Sequence, residues 1–304
     1  VLAERIGAPS ACGPAQRLAD TSLDRQQLGP RWDLAPHTAR HLLQHAGERL
    51  VTTFDADVQR LVLQAVRRLG SGEAAAVVVD NTNGDVLAYV GAPEAALPDQ
   101  AVLLRSAGNL LLPFAYGVAL ERRQLTAASL LEESLANHAP TQPDDRMWVS
   151  VRRALTESLT EPAQAVLRMA GEQLPERLRQ ADVDMARGGG ADVGLVQLAG
   201  LYRSLASGGQ WLAPRLVAGP ERTPRRVLRA EAGFIVGDML AEPDADGNPQ
   251  AFAFRQYVPD GREALLIRFS DRFSIALWAA GNRGMPAQAG AAWHEILRGL
   301  HRSQ

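Results

Sequence analysis

The segment from Arg105 to Phe114 has the frame of a helix-opening acyl-serine site. In such a site a serine at the helix start attacks a carbonyl, and a lysine three residues on, one turn along, takes its proton. Here Asn109 stands at the nucleophile's position and Leu112 at the base's. All 32 Lys-or-Arg positions of the chain are arginine, so a mechanism that needs a lysine base cannot run. Ser106, three residues before Asn109, is a displaced candidate nucleophile, but no lysine or histidine follows it at helical spacing. Ser158 could join a histidine or carboxylate from elsewhere in a different triad, although no Gly-x-Ser-x-Gly elbow surrounds it. His37, His41 and His45 fall at i, i+4 and i+8, which on a helix puts all three on one face at a spacing able to bind zinc. No glutamate follows the first of them, and Leu42 and Leu43 mark a segment packed on the domain, so a solvated or capping role is expected and no metal. Gly188-Gly189-Gly190 has the composition of a phosphate loop without its lysine and reads as a turn.

The elements that must position these residues follow from periodicity and turn chemistry. A helix is expected from Pro36, and a second, capped by Thr53 or Asp55, through Arg68 with Val58, Leu61, Val62, Ala65 and Val66 at helical spacing. Ala74 to Val79 and Val86 to Val90 read as strands of a hairpin turning at Asp80-Asn81-Thr82-Asn83-Gly84-Asp85. Asn109 is expected to N-cap a helix reaching about Arg122, since asparagine is among the best N-caps. Ala128 to Ala206 reads as helical segments broken by Pro and Gly, an all-helical insertion over about 123–210. Ala230 to Ala241 reads as a helix, then Phe252 to Tyr257, Ala264 to Phe269 and Phe273 to Ala280 as strands, and Ala287 to Leu300 as a closing amphipathic helix. Two strands early and three late, with helices between and after, imply an α/β domain whose five-stranded antiparallel sheet draws on both ends of the chain.

Composition narrows the function classes. At 304 residues and 46% hydrophobic content the chain can bury a core without metal or disulfide staples, and the lone Cys12 cannot close an intrachain disulfide. A formal net charge of -2, with acidic residues and arginines interspersed, argues against an extended nucleic-acid face. Arg222, Arg225, Arg226 and Arg229 form a basic cluster expected to be solvated, with anionic glycan or lipid headgroups as the alternative contact. The longest apolar stretch, Leu110 to Leu120, is broken by Pro113 and falls short of the roughly 20 residues needed to span a bilayer. Residues 1–35 read as a linker or lead-in and 36–304 as the folded domain. Because the chain begins at Val1, a signal peptide, anchor or further domain upstream is expected.

Several segments, taken in order, carry a resemblance. They are Thr52-Thr53-Phe54-Asp55 with Gln59, Val79-Asp80-Asn81 with Gly84-Asp85-Val86-Leu87-Ala88, and Arg105 to Phe114; then Leu198-Ala199-Gly200-Leu201-Tyr202, Leu205-Ala206-Ser207-Gly208-Gly209 and Phe252-Ala253-Phe254. From about Ala35 to Leu300 the chain resembles the transpeptidase domain of class A penicillin-binding proteins, nearest their 1C branch. That resemblance implies the penicillin-binding protein/β-lactamase-like transpeptidase fold, with helices flanking the sheet and an all-helical subdomain, and no cofactor. It also implies acyl transfer by three motifs: Ser-x-x-Lys at a helix start, Ser-x-Asn on a loop, and Lys-Thr-Gly on a strand. The first aligns with Asn109-Leu110-Leu111-Leu112, in register because Arg105, Gly108 and Pro113 sit where the family places them. The second aligns with Ser158-Leu159-Thr160, which keeps the hydroxyl and replaces the amide. The third aligns with Arg255-Gln256-Tyr257-Val258, which keeps one cation at Arg255 and puts the Tyr257 ring where glycine opens the groove.

Loss at all three motifs implies a pseudo-transpeptidase without catalytic residues, a scaffold or interaction module in the periplasm or cell envelope of a bacterium. Its expected partners are envelope proteins or those of peptidoglycan synthesis, with the peptidoglycan stem peptide as a ligand for Ser158 and Arg255. One alternative is the degenerate C-terminal domain of a bifunctional peptidoglycan synthase whose upstream glycosyltransferase domain carries the activity. Another is a hydrolase using Ser158. Leu112 and Tyr257 favour a filled cleft over an open one.

Overall fold

The computed structural model describes residues 34–45, 47–70, 72–134, 146–186, 190–243, 249–257 and 262–302, and for residues 134, 146, 242–243, 249–257 and 302 the backbone alone. Contacts divide the chain between Leu34 and Ala35. The lead-in with Cys12, and Gly188 and Gly189, lie outside the described residues. The domain is organised by a six-stranded antiparallel sheet in the order β2-β1-β12-β11-β10-β9. Its strands are β1 (Glu73–Asp80), β2 (Val86–Val90), β9 (Ala241–Pro243), β10 (Pro249–Tyr257), β11 (Glu263–Phe269) and β12 (Phe273–Ala280). The five expected strands are all present, and short β9 adds a sixth along part of β10. The first strand of the chain pairs directly with the last, Glu73 opposite Ala280 through Asp80 opposite Phe273, which joins the two ends of the sequence into one sheet.

Why β1 is a nearly unbroken apolar run is answered by its two faces. Ala75, Val77 and Val79 point into one core with Leu265, Ile267, Phe269 and Trp278. Ala74, Ala76 and Val78 point into a second with Leu266, Ile275 and Leu277. A strand covered on both sides has no polar face to alternate with. Two helices cover the second face, α2 (Ala56–Arg68) and α9 (Met285–Arg302). They approach closely at Gly299, where a Cβ would lie 2.5 Å from Leu61. On the first face lies α7 (Leu195–Ala206), and α3 (Leu112–Glu121), buried almost all round, belongs to the same core.

Asp55 is the N-cap of α2, its carboxylate accepting from the N–H groups of Asp57 at 2.9 Å and Val58 at 3.0 Å. The alternative cap, Thr53, instead donates to the carbonyls of Val86 or Arg215. Asp55→Ala is expected to cost about 1 kcal/mol in urea unfolding, with Asp55→Asn close to the parent because its side-chain oxygen still accepts.

The expectation of an all-helical insertion over 123–210 is corrected. Helices α4 (Val151–Thr156), α5 (Thr160–Ala170), α6 (Gln173–Arg179) and α7 lie there. So does a hairpin of β4 (Leu130–Ser134) and β5 (Arg146–Ser150), together with the short β6 (Asp192–Val193). Met147, Trp148 and Val149 favour extended backbone, and pairing with β4 supplies the hydrogen bonds that a five-residue strand cannot make alone. The helix expected over 230–241 forms as α8 (Ala230–Leu240), with Ala241 already in β9. Two further short pairs complete the topology. One joins β3 (Arg105–Ser106) to β6, and the other joins β7 (Gln210–Trp211) to β8 (Arg225–Arg226).

Candidate functional site

Before α3 the chain makes a single 3₁₀ turn, Gly108–Leu111, entered through Gly108 at φ +47°. Asn109 therefore does not cap α3, as its sequence position suggested. Inside the turn, Leu110 N–H donates to Ala107 O at 2.9 Å and Leu112 N–H to Asn109 O. Pro113, in the first turn of α3, has no N–H to offer. Backbone bonds thus take donors that a cap would satisfy, and the Asn109 side chain is exposed. Three contacts hold the turn in place. Ala107 N–H donates to Ala191 O at 2.8 Å, Tyr202 hydroxyl donates to Leu110 O at 2.8 Å, and Arg105 pairs with Val193 across β3 and β6.

Leu112 is 3% exposed and belongs to the larger core, with Leu110, Phe114 and Tyr202. Tyr116, one turn further along α3, is buried, as is Tyr202, and burial pushes both phenols well above their usual range. Both stay neutral and neither can serve as a base at ordinary pH. Arg105 holds the loop ahead of the turn. Its guanidinium lies 3.8 Å from the Trp278 ring centroid and donates to Gln100 O at 2.6 Å and Leu103 O at 3.0 Å. Burial lowers its pKa, partly offset by the charges of Glu263 and Glu73. Ser106 sits on β3, exposed and paired opposite Asp192. Tyr202 is the positioning residue that sequence reasoning missed. The sequence offers it only within the segment Leu198 to Tyr202, where nothing reveals that its hydroxyl reaches 92 positions back in the chain.

Ser158 lies in the bend between α4 and α5 at φ +52°, a left-handed conformation uncommon for a residue with a Cβ. The bend is closed by Ser158 N–H on Leu155 O at 3.1 Å and Leu159 N–H on Ala154 O at 3.0 Å. Ser158 is half-buried, while Thr160, the first residue of α5, is exposed. Among the described residues no side chain pairs with the Ser158 hydroxyl, so no base attends it there. Arg255 and Tyr257 lie on β10 opposite Leu266 and Ala264 of β11, and their side chains lie outside the described residues. β9 accompanies β10 only as far as Phe252.

The fold brings the three segments together. β10 packs against the 3₁₀ turn that carries Asn109, α3 packs against α5, and α4 touches both helices. Asn109 is thus exposed at this turn, while Leu112, Tyr116 and Tyr202 are buried in the larger core.

The histidines separate. α1 (Pro36–Leu42) ends before His45, so the three do not share a helical face. His37 Nε2 lies 3.0 Å from Leu97 O, His41 Nε2 2.9 Å from Asp99 Oδ2, and His45 Nδ1 3.8 Å from Glu48. The arginine cluster also disperses into local contacts. Arg222 clamps Asp85 and the carbonyls of Asn83 and Ala213, while Arg225 pairs with Asp182 at 2.7 Å and stacks over Trp211. No helix among the described residues is long and apolar enough to cross a membrane.

No protein-family model matches the chain. Penicillin-binding protein 1C of Escherichia coli strain K12 is 26% identical over 298 residues, covering 85% of this chain and 39% of that protein, so the chain spans about two-fifths of the relative's length. Among solved structures, penicillin-binding protein PonA1 of Mycobacterium tuberculosis superposes with TM-score 0.66 at 18% identity, covering 83% of each chain. PonA1 in complex with penicillin V gives 0.65 at 18% identity over 83% of this chain and 85% of that one. Penicillin-binding protein 3 of M. tuberculosis complexed with aztreonam gives 0.63 at 17% identity over 82% and 79%.

Proposed function

We propose that this chain, a homologue of penicillin-binding protein 1C with the penicillin-binding-protein transpeptidase fold, is a pseudo-transpeptidase that acts as a scaffold or interaction module in the bacterial cell envelope. The observation that carries this reading is the pair Asn109 and Leu112, an amide on the surface where a nucleophile is needed and an apolar side chain in the core where its base belongs. A carboxamide does not form an acyl ester, and a leucine takes no proton. The chain contains no lysine from which a substitute could come. Ser158, at the second motif, retains a hydroxyl with no base beside it among the described residues.

The test is covalent labelling. Incubated with a fluorescent penicillin and run on a denaturing gel, the protein is expected to give no labelled band, alongside an active transpeptidase that does. A band abolished by Ser158→Ala and kept by Ser106→Ala would sink the pseudoenzyme reading and make Ser158 the nucleophile.

A further inference from the structure

Away from the three-motif cleft, a cavity of about 500 Å³ opens between α1, the loop at 101–104 and the segment at 211–216. We propose that it is a docking groove for a short, uncharged, apolar segment of a partner polypeptide, a proposal that rests on the scaffold reading above and gives it a surface. The volume lies within the roughly 300–1,000 Å³ of ordinary ligand sites. Its lining is mainly apolar, with Leu42, Tyr89, Val102, Leu104, Trp211 and Leu216 among the walls. Neither Asn109, Leu112 nor Ser158 takes part.

Three features narrow the occupant. Val102, Leu103 and Leu104 are consecutive, apolar and 48%, 46% and 67% exposed, so the groove continues into an apolar rim that a molecule filling the cavity alone would leave wet. Their backbone N–H groups have no partner among the described residues, and a polypeptide brings carbonyls alongside its side chains, as a hydrocarbon does not. The charges are already committed. Asp99 accepts from Tyr89 hydroxyl at 2.8 Å, lies 2.9 Å from His41 Nε2 and accepts from Ala101 N–H at 2.9 Å; Asp182 is paired with Arg225. Among the described residues an ionic ligand meets no uncommitted counter-charge there, whereas aliphatic and aromatic side chains meet a matching surface.

The groove is also held open before binding. Leu195 N–H donates to Ala101 O at 3.2 Å, Arg105 holds the carbonyls of Gln100 and Leu103, and His37 and His41 fasten α1 to the 97–99 segment. A surface fastened on both sides loses little conformational freedom when it is occupied. The buried indole N–H of Trp211 has no hydrogen-bond partner among the described residues and makes a local reporter of packing.

The experiment follows that N–H by nuclear magnetic resonance in the ¹⁵N-labelled full chain, with its signal assigned by Trp211→Phe. The probes are the capped peptide acetyl-Gly-Leu-Phe-Leu-Gly-amide and its counterpart acetyl-Gly-Asp-Phe-Asp-Gly-amide. A saturable shift with the first and not the second is expected, weakened at least about tenfold by Leu104→Asp with thermal melting unchanged, since Leu104 is exposed. Ala213→Trp, which fills the cavity, should abolish it. The proposal is overturned by no shift up to about 1 mM peptide, by equal binding of the charged peptide, by indifference to Leu104→Asp, or by saturation with free indole and not with peptide. Penicillin labelling reports on the other cleft, so failure here leaves the pseudo-transpeptidase reading standing, and a labelled band there leaves the groove to its own test.

Discussion

Leu112→Lys is expected to destabilise the domain by about 4 kcal/mol, lowering the melting temperature by roughly 10 °C, and to leave it without penicillin acylation even when combined with Asn109→Ser. The magnitude follows from where Leu112 sits. At 3% exposure in the larger core it contributes the roughly 1.5–3 kcal/mol of a fully buried aliphatic side chain, which lysine forfeits. The ammonium must also enter the apolar core to which Leu112 belongs or be buried neutral, and either course adds a penalty of several kcal/mol before local relaxation. Restoring the serine as well would not complete a catalytic unit, because Thr160 still lacks the amide of the second motif and such residues act together. The readouts are urea unfolding and the same penicillin gel, with Leu112→Met as a control expected within about 1.5 kcal/mol of the parent. An unchanged melting temperature for Leu112→Lys would mean that this position opens onto solvent and keeps room for a base. That would remove the main support for a site lost to packing.

The same contrast between chemistry and architecture explains what could be read in advance. The sheet was legible because its strands are apolar runs bounded by strong turns, and a strand such as β1, buried on both faces, has only one plausible packing. The order of these segments along the chain was legible too, and in the structure β10 packs against the 3₁₀ turn while α4 and α5 pack against α3. The hairpin of β4 and β5 was not, because Leu-Leu-Glu-Glu-Ser has no alternation of its own and is extended through pairing with Arg146–Ser150. Trp148 and Val149 were the available signal. Asn109 was misplaced as a cap because residue preference is local, whereas the turn is set by Ala191 and Tyr202, distant in sequence. The histidine spacing misled for a related reason, since it presumed a helix that stops at Leu42. Ser158 at positive φ could not have been anticipated, serine having no special tolerance for that region. The groove has no sequence signal either, because its described walls come from six separated stretches of chain.

Gly209→Ala is expected to cost at least about 3 kcal/mol, among the larger effects a single methyl group can have. Gly209 has φ +77°, and a Cβ built there would lie 2.0 Å from Leu228 O and 2.6 Å from its carbonyl carbon. The obstacle is backbone, so no side-chain rotation relieves it. Nor can the backbone withdraw freely, because Gly209 O accepts from Val227 N–H at 2.9 Å and Leu228 N–H at 3.2 Å, while Gly209 N–H donates to Ser204 O at 2.7 Å. Leu228 is itself seated on Gly117 of α3, where a Cβ would come within 2.6 Å of its Cδ1. Pushing Leu228 away from residue 209 therefore disturbs the helix that follows the Asn109 turn. Gly208 supplies the control, having φ +60° with no atom nearer than 3.8 Å to a Cβ, so Gly208→Ala should cost only the roughly 1–2 kcal/mol of a left-handed backbone. Urea unfolding of the two variants separates conformational strain from collision. Equal losses would show that Leu228 yields to a methyl group at residue 209, whereas a clear excess for Gly209→Ala means that two glycines and one leucine interlock the α7 terminus with α3.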